Sequence, residues 1–217
     1  MTPEALLQAA GELGVVPLFY DPDVARAQAT VAALAVGGAR VVEYTLRGPG
    51  AETVLAALVA GAPAGVTIGA GSVNDVTGAN RALDAGAAFV VGPNGSREVA
   101  ERCRAAGVAY VPGCLTPSEV VAAGAWGCPL VKVFPVSAVG GPGYVRALRG
   151  PLPQLRVMAT GGVGLDDVED YLRAGTTCVG LGSDLVKREW VERDDGRPLA
   201  EATARVLARA GAALGRG

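Results

Sequence analysis

The feature that most constrains the fold is an alternation of short apolar runs with segments that have helical spacing. Eight such runs occur along the 217 residues. Strands alternating with helices in this way predict βαβ units, that is, a parallel sheet covered by helices. Eight units in a chain of this length are what a compact (β/α)8 barrel requires, and a doubly wound open sheet is the alternative. The runs are Val15–Phe19, Arg40–Thr45, Val66–Ile68, Ala88–Val91, Val108–Val111, Leu130–Phe134, Arg156–Ala159 and Thr177–Leu181.

Helix signals between the runs support the same architecture. Thr116-Pro117-Ser118-Glu119 combines a capping box with a proline at the first helical position. Asn74 and Ser96 are candidate N-caps of two other helices, and an Ala-rich last helix is predicted from Pro198 to about Leu214. No Pro/Ser-rich linker or charge block divides the chain, whose length fits one large domain or two small ones. We therefore expect one barrel domain over residues 1–217.

The composition excludes several kinds of chemistry. The chain has no histidine, which excludes Ser-His-Asp and Cys-His nucleophiles and the His-containing zinc sites of metal-dependent aldolases. Any acid or base must be a carboxylate, a lysine, a tyrosine or water. The four cysteines are dispersed without a C-x-x-C pair, so they are interpreted as reduced packing thiols. We therefore expect no metal and no cofactor.

Charge and hydropathy limit the partners. A formal net charge of −2 without a basic cluster argues against nucleic acid as the main partner. No apolar stretch reaches the 18 or so residues that a membrane span needs. The first residues lack a basic segment followed by an apolar one, so no secretory signal is expected. These observations predict a cytoplasmic protein with a small-molecule partner.

A lysine inside an apolar run is the most unusual polar residue. Lys132 lies within Leu130–Pro135, where its ammonium would lose hydration. Of 19 Lys and Arg residues only two are lysines, and the other, Lys187, lies in a polar segment. Desolvation favours the neutral form of an amine whose usual pKa is about 10.4. A neutral lysine amine is a nucleophile that can form a Schiff base with a carbonyl carbon. The charged stretch Lys187–Arg197, with Trp190, is interpreted as a surface excursion or a subunit contact.

A carboxylate and a guanidinium come at the end of the second predicted strand. By period-two alternation Glu43 shares a face with Val41 and Thr45, so its carboxylate also points into the barrel. It is either an acid/base beside Lys132 or the other half of a buried structural pair. Arg47 offers a planar fork for a substrate carboxylate, or is a solvated loop residue.

Glycine-rich turns follow several predicted strands, at the end of a barrel where active sites lie. Gly69-Ala70-Gly71-Ser72 is expected after strand three, and Pro93 shapes the loop after strand four. Thr160-Gly161-Gly162 follows strand seven, and Gly180–Asp184 is expected after strand eight. In many barrels a phosphate binds between these last two loops, on backbone N–H groups. The alternative is tight turns without a ligand.

These segments, in this order and over residues 15–186, resemble the bacterial 2-keto-3-deoxy-6-phosphogluconate / 4-hydroxy-2-oxoglutarate aldolases. The resemblance implies a class I, metal-free aldolase on a (β/α)8 barrel, usually a homotrimer, with a place in the Entner–Doudoroff pathway. The motifs that carry it are Val41–Arg47, Gly69–Val73, Val111–Glu119, Val131–Pro135, Gly150–Pro153, Thr160–Val163 and Gly180–Ser183.

The resemblance also implies roles for individual residues. Lys132 matches the Schiff-base lysine and Glu43 the acid/base. Other positions match substrate contacts: Arg47 and Ser72 near the pyruvyl carboxylate, Thr160 at a substrate-contacting threonine, and Gly161, Gly162, Gly182 and Ser183 at the phosphate. Pro93, in the loop after strand four, is expected to bind substrate as well.

Three departures from the family pattern leave the sugar stereochemistry open. Ala159 stands where the family often has proline, Gly92-Pro93-Asn94 replaces the commoner Ser-Pro, and Gly182–Leu185 is similar to relatives that act on the galactonate epimer. Unphosphorylated 4-hydroxy-2-oxoglutarate is a third candidate substrate. A phosphosugar isomerase or epimerase, and a non-catalytic phosphosugar-binding barrel, are the alternatives to an aldolase.

Overall fold

The structure is a computed structural model that describes residues 1–192 and 195–216. Its nine strands form one parallel sheet in the order β5-β4-β3-β2-β1-β9-β8-β7-β6. The strands are β1 Val15–Phe19, β2 Val41–Thr45, β3 Thr67–Gly71, β4 Phe89–Val91, β5 Ala109–Val111, β6 Gly113–Cys114, β7 Val131–Val133, β8 Val157–Thr160 and β9 Cys178–Leu181.

A proline divides the fifth strand of the barrel into β5 and β6. Pro112, the one residue between them, has no N–H to donate to a ladder. β5 pairs with β4 and β6 pairs with β7, so the two halves close the sheet. The result is the predicted (β/α)8 barrel, and the open-sheet alternative is wrong. Each of the eight apolar runs overlaps a strand.

Helices cover the outside of the barrel. They are α1 Pro3–Leu13, α2 Val24–Val36, α3 Ala51–Ala60, α4 Val76–Asp84, α5 Arg97–Ala105, α6 Pro117–Ala125, α7 Gly141–Arg149, α8 Val168–Arg173, α9 Arg188–Glu192 and α10 Arg197–Ala213. The capping box at Thr116 and the N-cap at Ser96 are both present. The N-cap of α4 is Asp75 rather than Asn74, because the Asp75 carboxylate accepts a hydrogen bond from the Gly78 N–H at 2.7 Å. No helix of the described ranges is long and apolar enough to cross a membrane.

Helix α1 was not predicted, although its signals are in the sequence. The Thr2 hydroxyl caps it and Pro3 occupies its first position. Leu6 and Ala10 are buried in the cluster of residues that fills the barrel, together with Val41 of β2. The Met1 ammonium donates to the carbonyl of Ala88 and the Ala109 N–H donates to the carbonyl of Met1. Helix α1 therefore closes the amino-terminal end of the barrel.

Strand three is longer than predicted. Gly69, Ala70 and Gly71 belong to β3 rather than to the loop after it, and only Ser72 follows the strand. A Cβ on Gly69 would lie 2.4 Å from the Phe89 ring, so the barrel interior requires glycine there. Gly180 and Leu181 end β9, as the run Thr177–Leu181 predicts, and the glycine-rich turn begins at Gly182. Strand β7 is shorter than its run and ends before Phe134.

The stretch Lys187–Arg197 begins with the short helix α9. Trp190 is half-buried against the main hydrophobic core, and the Lys187 ammonium lies 4.8 Å from the centroid of its ring. The helix packs on α2 and α10 while Arg188 and Glu192 face solvent. Residues Arg193 and Asp194 of this stretch lie outside the described residues.

Candidate active site

A cavity of about 900 Å³ opens at the carboxyl-terminal ends of the strands. All ten residues predicted for the site line it. They are Glu43, Arg47, Ser72, Pro93, Lys132, Thr160, Gly161, Gly162, Gly182 and Ser183. The carboxyl ends of parallel strands meet at one face of a barrel, which is why segments so far apart in the sequence converge.

Lys132 and Glu43 meet across the barrel interior. Their strands, β7 and β2, lie on opposite sides of the sheet order. The Lys132 Nζ is 3.7 Å from the Glu43 Oε1, and the two side chains are 8% and 0% exposed. The Phe134 ring lies beside the amine, with its centroid 5.4 Å from Nζ. The amine is therefore dry on most sides and open to the cavity.

The geometry differs from that of a closed structural ion pair. A separation of 3.7 Å exceeds hydrogen-bond length. Neither Glu43 oxygen accepts a hydrogen bond from any described residue, although both are buried. Buried carboxylates in stable pairs normally have their lone pairs satisfied. Glu43 thus keeps its acceptor capacity for something in the cavity.

A glycine on the neighbouring strand makes room for this carboxylate. Gly71 lies beside Thr45 in the β2–β3 ladder. A Cβ at Gly71 would come within 2.0 Å of the Glu43 Oε1. Any larger residue at this position would push the carboxylate away from Lys132.

The four thiols do not compete as nucleophiles. All are buried, and Cys178 lies in the barrel interior with Val41 and Phe89. Burial raises the pKa of the Cys178 thiol to about 12, with a further contribution from the negative charge of Glu43. Burial likewise raises the pKa of Cys103 and of Cys128 to about 11. These groups stay protonated at neutral pH, as expected of packing thiols. Within the described ranges no group of three or more acidic or thiol side chains could hold a metal ion.

One side of the cavity carries Arg47, Ser72 and Pro93. Arg47 follows β2, is exposed and extends over the cavity. Ser72 has a φ of 62°, which is uncommon for a residue other than glycine and typical of functional sites. The backbone of Pro93 packs so closely on Gly113 that a Cβ there would lie 2.2 Å from the Pro93 carbonyl oxygen.

The other side carries the two glycine-rich turns. Thr160 ends β8, and its buried hydroxyl oxygen has no hydrogen-bond partner among the described residues. Gly161 and Gly162 have φ of 94° and 71°, and a Cβ on Gly161 would lie 2.9 Å from the Phe134 ring. Gly182 and exposed Ser183 follow β9. These two turns can present backbone N–H groups to an anion.

Sequence reasoning missed an outer ring of charged residues. Asp21, Arg26, Asp184 and Arg188 also line the cavity. Arg26 donates to Asp21 through Nε at 2.5 Å and Nη2 at 2.7 Å. The available signal was position along the chain, since Asp21 lies two residues after the first strand and Asp184 three residues after the last. Among the described residues, four cationic side chains and three carboxylates line the cavity: Arg26, Arg47, Lys132 and Arg188, and Asp21, Glu43 and Asp184. The cavity can therefore hold an anionic ligand.

A parallel (β/α)8 barrel whose carboxyl-terminal mouth holds a buried lysine beside a buried carboxylate fits the class of aldolases that act through an amine. Comparison with known proteins names the family. The family model described as "Aldolase: KDPG and KHG aldolase" matches residues 7–201, and the chain belongs to this family. The resemblance predicted from the motifs is confirmed.

Individual relatives agree with this assignment. The probable 2-dehydro-3-deoxy-6-phosphogalactonate aldolase of Rhizobium meliloti is 36% identical over 162 residues, which are 74% of this chain and 76% of the relative. A crystal structure of KDPG aldolase from Legionella pneumophila, with pyruvate captured as a covalent carbinolamine, superposes with a TM-score of 0.86. That relative is 30% identical over 95% of this chain and 98% of its own. A cube-shaped protein cage designed by fusing symmetric oligomeric domains has a TM-score of 0.83 at 31% identity, over 92% of this chain and 74% of its own.

Proposed function

We propose that this protein is a class I aldolase that cleaves 2-keto-3-deoxy-6-phosphogluconate into pyruvate and glyceraldehyde 3-phosphate. The observation that carries the proposal is the Lys132 amine, 8% exposed in a polar cavity and 3.7 Å from a carboxylate without hydrogen bonds from the described residues. A buried amine of this kind suits attack on a ketone carbon.

In the proposed reaction, the Lys132 Nζ adds to the C2 ketone to give a carbinolamine. Loss of water then gives a protonated imine. Glu43, directly or through one water, takes the proton of the C4 hydroxyl. The electron pair of the C3–C4 bond moves into the imine and leaves an enamine on Lys132, while glyceraldehyde 3-phosphate departs. Glu43 returns a proton to C3, and hydrolysis releases pyruvate and the free amine. Both proton transfers use one carboxylate, in accord with a chain that has no histidine.

The other lining residues orient the substrate in this proposal. Arg47 and Ser72 hold the carboxylate next to the ketone, through a guanidinium fork and a hydroxyl. Thr160 and Pro93 contact the carbon chain, and the Thr160 hydroxyl, buried and unpartnered within the described residues, is available to a substrate oxygen. The phosphate binds at backbone N–H groups and one hydroxyl, supplied by Gly161, Gly162, Gly182 and Ser183.

Borohydride trapping tests the chemistry. Incubation with pyruvate and borohydride should add one reduced pyruvyl group, and peptide mass spectrometry should place it on Lys132. Lys187, the second lysine of the chain, is an internal control that should stay unlabelled. An unlabelled protein, under conditions that label a known class I aldolase, would reject the proposal.

The galactonate epimer is a second candidate substrate. It is favoured by the Rhizobium meliloti relative and by the segment Gly182–Leu185. Pyruvate release from the gluconate epimer, the galactonate epimer and 4-hydroxy-2-oxoglutarate, measured with coupled lactate dehydrogenase, ranks the three. A higher kcat/KM for the galactonate epimer would identify that sugar, rather than the gluconate epimer, as the preferred substrate.

We further propose that the chain works as a homotrimer. The likeness to a cage designed by fusing symmetric oligomeric domains supports an oligomer. Light scattering on the purified protein should then give three times the chain mass of 21.7 kDa. We also propose a cytoplasmic location, because charged sugar acids do not cross a bilayer unaided.

A further inference from the structure

Arg188 brings a cation to the cavity from outside the barrel strands. It is the first residue of α9 and lines the same cavity as Gly182 and Ser183. Asp184 lines this cavity as well, and its carboxylate disfavours a phosphate dianion. Among the described residues that line the cavity, Arg188 is one of four cationic side chains beside three carboxylates.

Arg188 and Arg26 share one carboxylate. The Glu192 Oε1 lies 2.7 Å from the Arg188 Nε and 3.2 Å from the Arg26 Nη1. Two guanidinium groups thus converge on a single oxygen at the rim of the cavity. A site that holds one carboxylate oxygen between two guanidinium groups can also hold a phosphate oxygen.

The two arginines differ in how firmly they are held. Arg26 is 19% exposed and makes two hydrogen bonds to Asp21 in addition to its contact with Glu192. Arg188 is 62% exposed, and Glu192 is its one ion-pair partner among residues 1–192 and 195–216. Exposed i,i+4 pairs contribute little to stability, so Arg188 can leave Glu192 at small cost. Arg26 has to stay with Asp21.

We propose that Arg188 is a specificity-determining residue for phosphorylated substrates. On this proposal, which rests on the proposed function, Arg188 exchanges Glu192 for the substrate phosphate above Gly182 and Ser183. Arg26 keeps its pairing with Asp21 and adds a fixed positive charge. Arg188 contacts the end of the substrate remote from Lys132, so it acts on binding rather than on bond cleavage.

The test compares Arg188→Ala with a matched control, Arg97→Ala. Arg97 makes the same i,i+4 contact, with its Nε 2.8 Å from the Glu101 Oε1, on α5 and away from the cavity. Arg188→Ala should raise KM for the phosphorylated keto acid about tenfold, as expected for loss of a hydrogen bond to a charged group. The kcat for that substrate, and KM for 4-hydroxy-2-oxoglutarate, should stay within about twofold. Arg97→Ala should match the unmodified protein on both substrates.

A second variant tests the exchange itself. Glu192→Gln removes the competing carboxylate, so KM for the phosphorylated substrate should fall about two- to threefold. Inorganic phosphate should bind this variant more tightly, and Arg188→Ala more weakly, in titration calorimetry. An Arg188→Ala variant with unchanged KM, or with equal loss on both substrates, would overturn the proposal.

Calorimetry with phosphate needs no turnover, which separates the two proposals. Failure of borohydride trapping in the unmodified protein would reject the aldolase. Phosphate binding that is the same in the unmodified protein and in Arg188→Ala would reject the role of Arg188.

Discussion

Two ion pairs at the same mouth of the barrel have opposite designs. Arg26 and Asp21 lie at the rim with two short hydrogen bonds, of 2.5 and 2.7 Å. Lys132 and Glu43 lie deeper, 3.7 Å apart, and the carboxylate has no hydrogen bond from the described residues. Burial alone would favour the reverse, since the deeper pair has more to gain from satisfied contacts. The satisfied pair holds the shape of the rim, whereas in the proposed function the unsatisfied pair keeps its groups available to a substrate.

Replacement of the amine is expected to have the largest effect. Lys132→Met removes the nucleophile, and pyruvate release should fall by at least about four orders of magnitude, as for other covalent catalysts that lose theirs. The measurement is the coupled lactate dehydrogenase assay on each candidate substrate. Lys187→Met, which changes the other lysine, should keep its activity. If Lys132→Met kept even one-hundredth of the original rate, Lys132 would not be the covalent nucleophile.

Replacement of the deep carboxylate comes next. Glu43→Gln keeps the shape but removes the base, so kcat should fall about 10²- to 10⁴-fold. The amine is still present, and trapping of pyruvate by borohydride should persist at a lower rate. Exchange of the pyruvate methyl protons with deuterated water, followed by NMR, should slow by a similar factor. Normal exchange in this variant would assign the proton transfers to another group.

Replacement of the rim pair, Arg26 and Asp21, should lower the free energy of unfolding rather than the activity. Asp21→Ala leaves the half-buried Arg26 without its main partner and should cost about 2 kcal/mol of unfolding free energy. For a chain of this size that corresponds to a fall in Tm of about 4 to 8 °C. The Tm values of Asp21→Ala and Glu43→Gln, measured side by side, show which of the two pairs contributes more to stability. A larger loss of Tm in Glu43→Gln would mean that the deep pair is the structural one.

The smallest effect, on the free energy of unfolding, is expected from a third ion pair, which lies away from the cavity. The hydrogen bond from the Arg209 guanidinium holds the pKa of Glu169 below its usual value. A lowered pKa in the folded state adds stability above the unfolded pKa of about 4.3, and that stability is lost as the pH falls through the folded pKa. Glu169→Gln should therefore cost less than about 1 kcal/mol at pH 7, and nothing once Glu169 is protonated in both states. Denaturant unfolding at pH 7 and pH 3 measures the difference, and an equal cost at both would contradict the assignment.

The barrel could be predicted from sequence because each strand is a local signal. Period-two alternation also placed Glu43 on the inner face, and the apolar run around Lys132 indicated its burial. The role of Gly71 could not be found in this way, because it depends on how close the Glu43 side chain comes from the next strand. Asn74 and Asp75 are both competent caps, and only the backbone direction decides between them.

The missed charges at the rim have a different cause. Arg26 and Glu192 are 166 positions apart, and neither carries a signal for the other. Their contact depends on how α9 packs against α2, which is set by the folded barrel. Strand positions are thus encoded by neighbours in sequence, whereas the outer ring of the site is encoded by tertiary packing alone.

Helix α1 closes the amino-terminal end of the barrel, and this affects the order in which reactants enter and leave the cavity. Leu6 and Ala10 are buried at that end, and the cavity that reaches Lys132 opens at the other. In the proposed mechanism the three-carbon fragment is still bound covalently to Lys132 when the aldehyde forms. That mechanism, in a cavity open at one end, sets an order: the aldehyde leaves before pyruvate in cleavage, and pyruvate binds before the aldehyde in the synthetic direction.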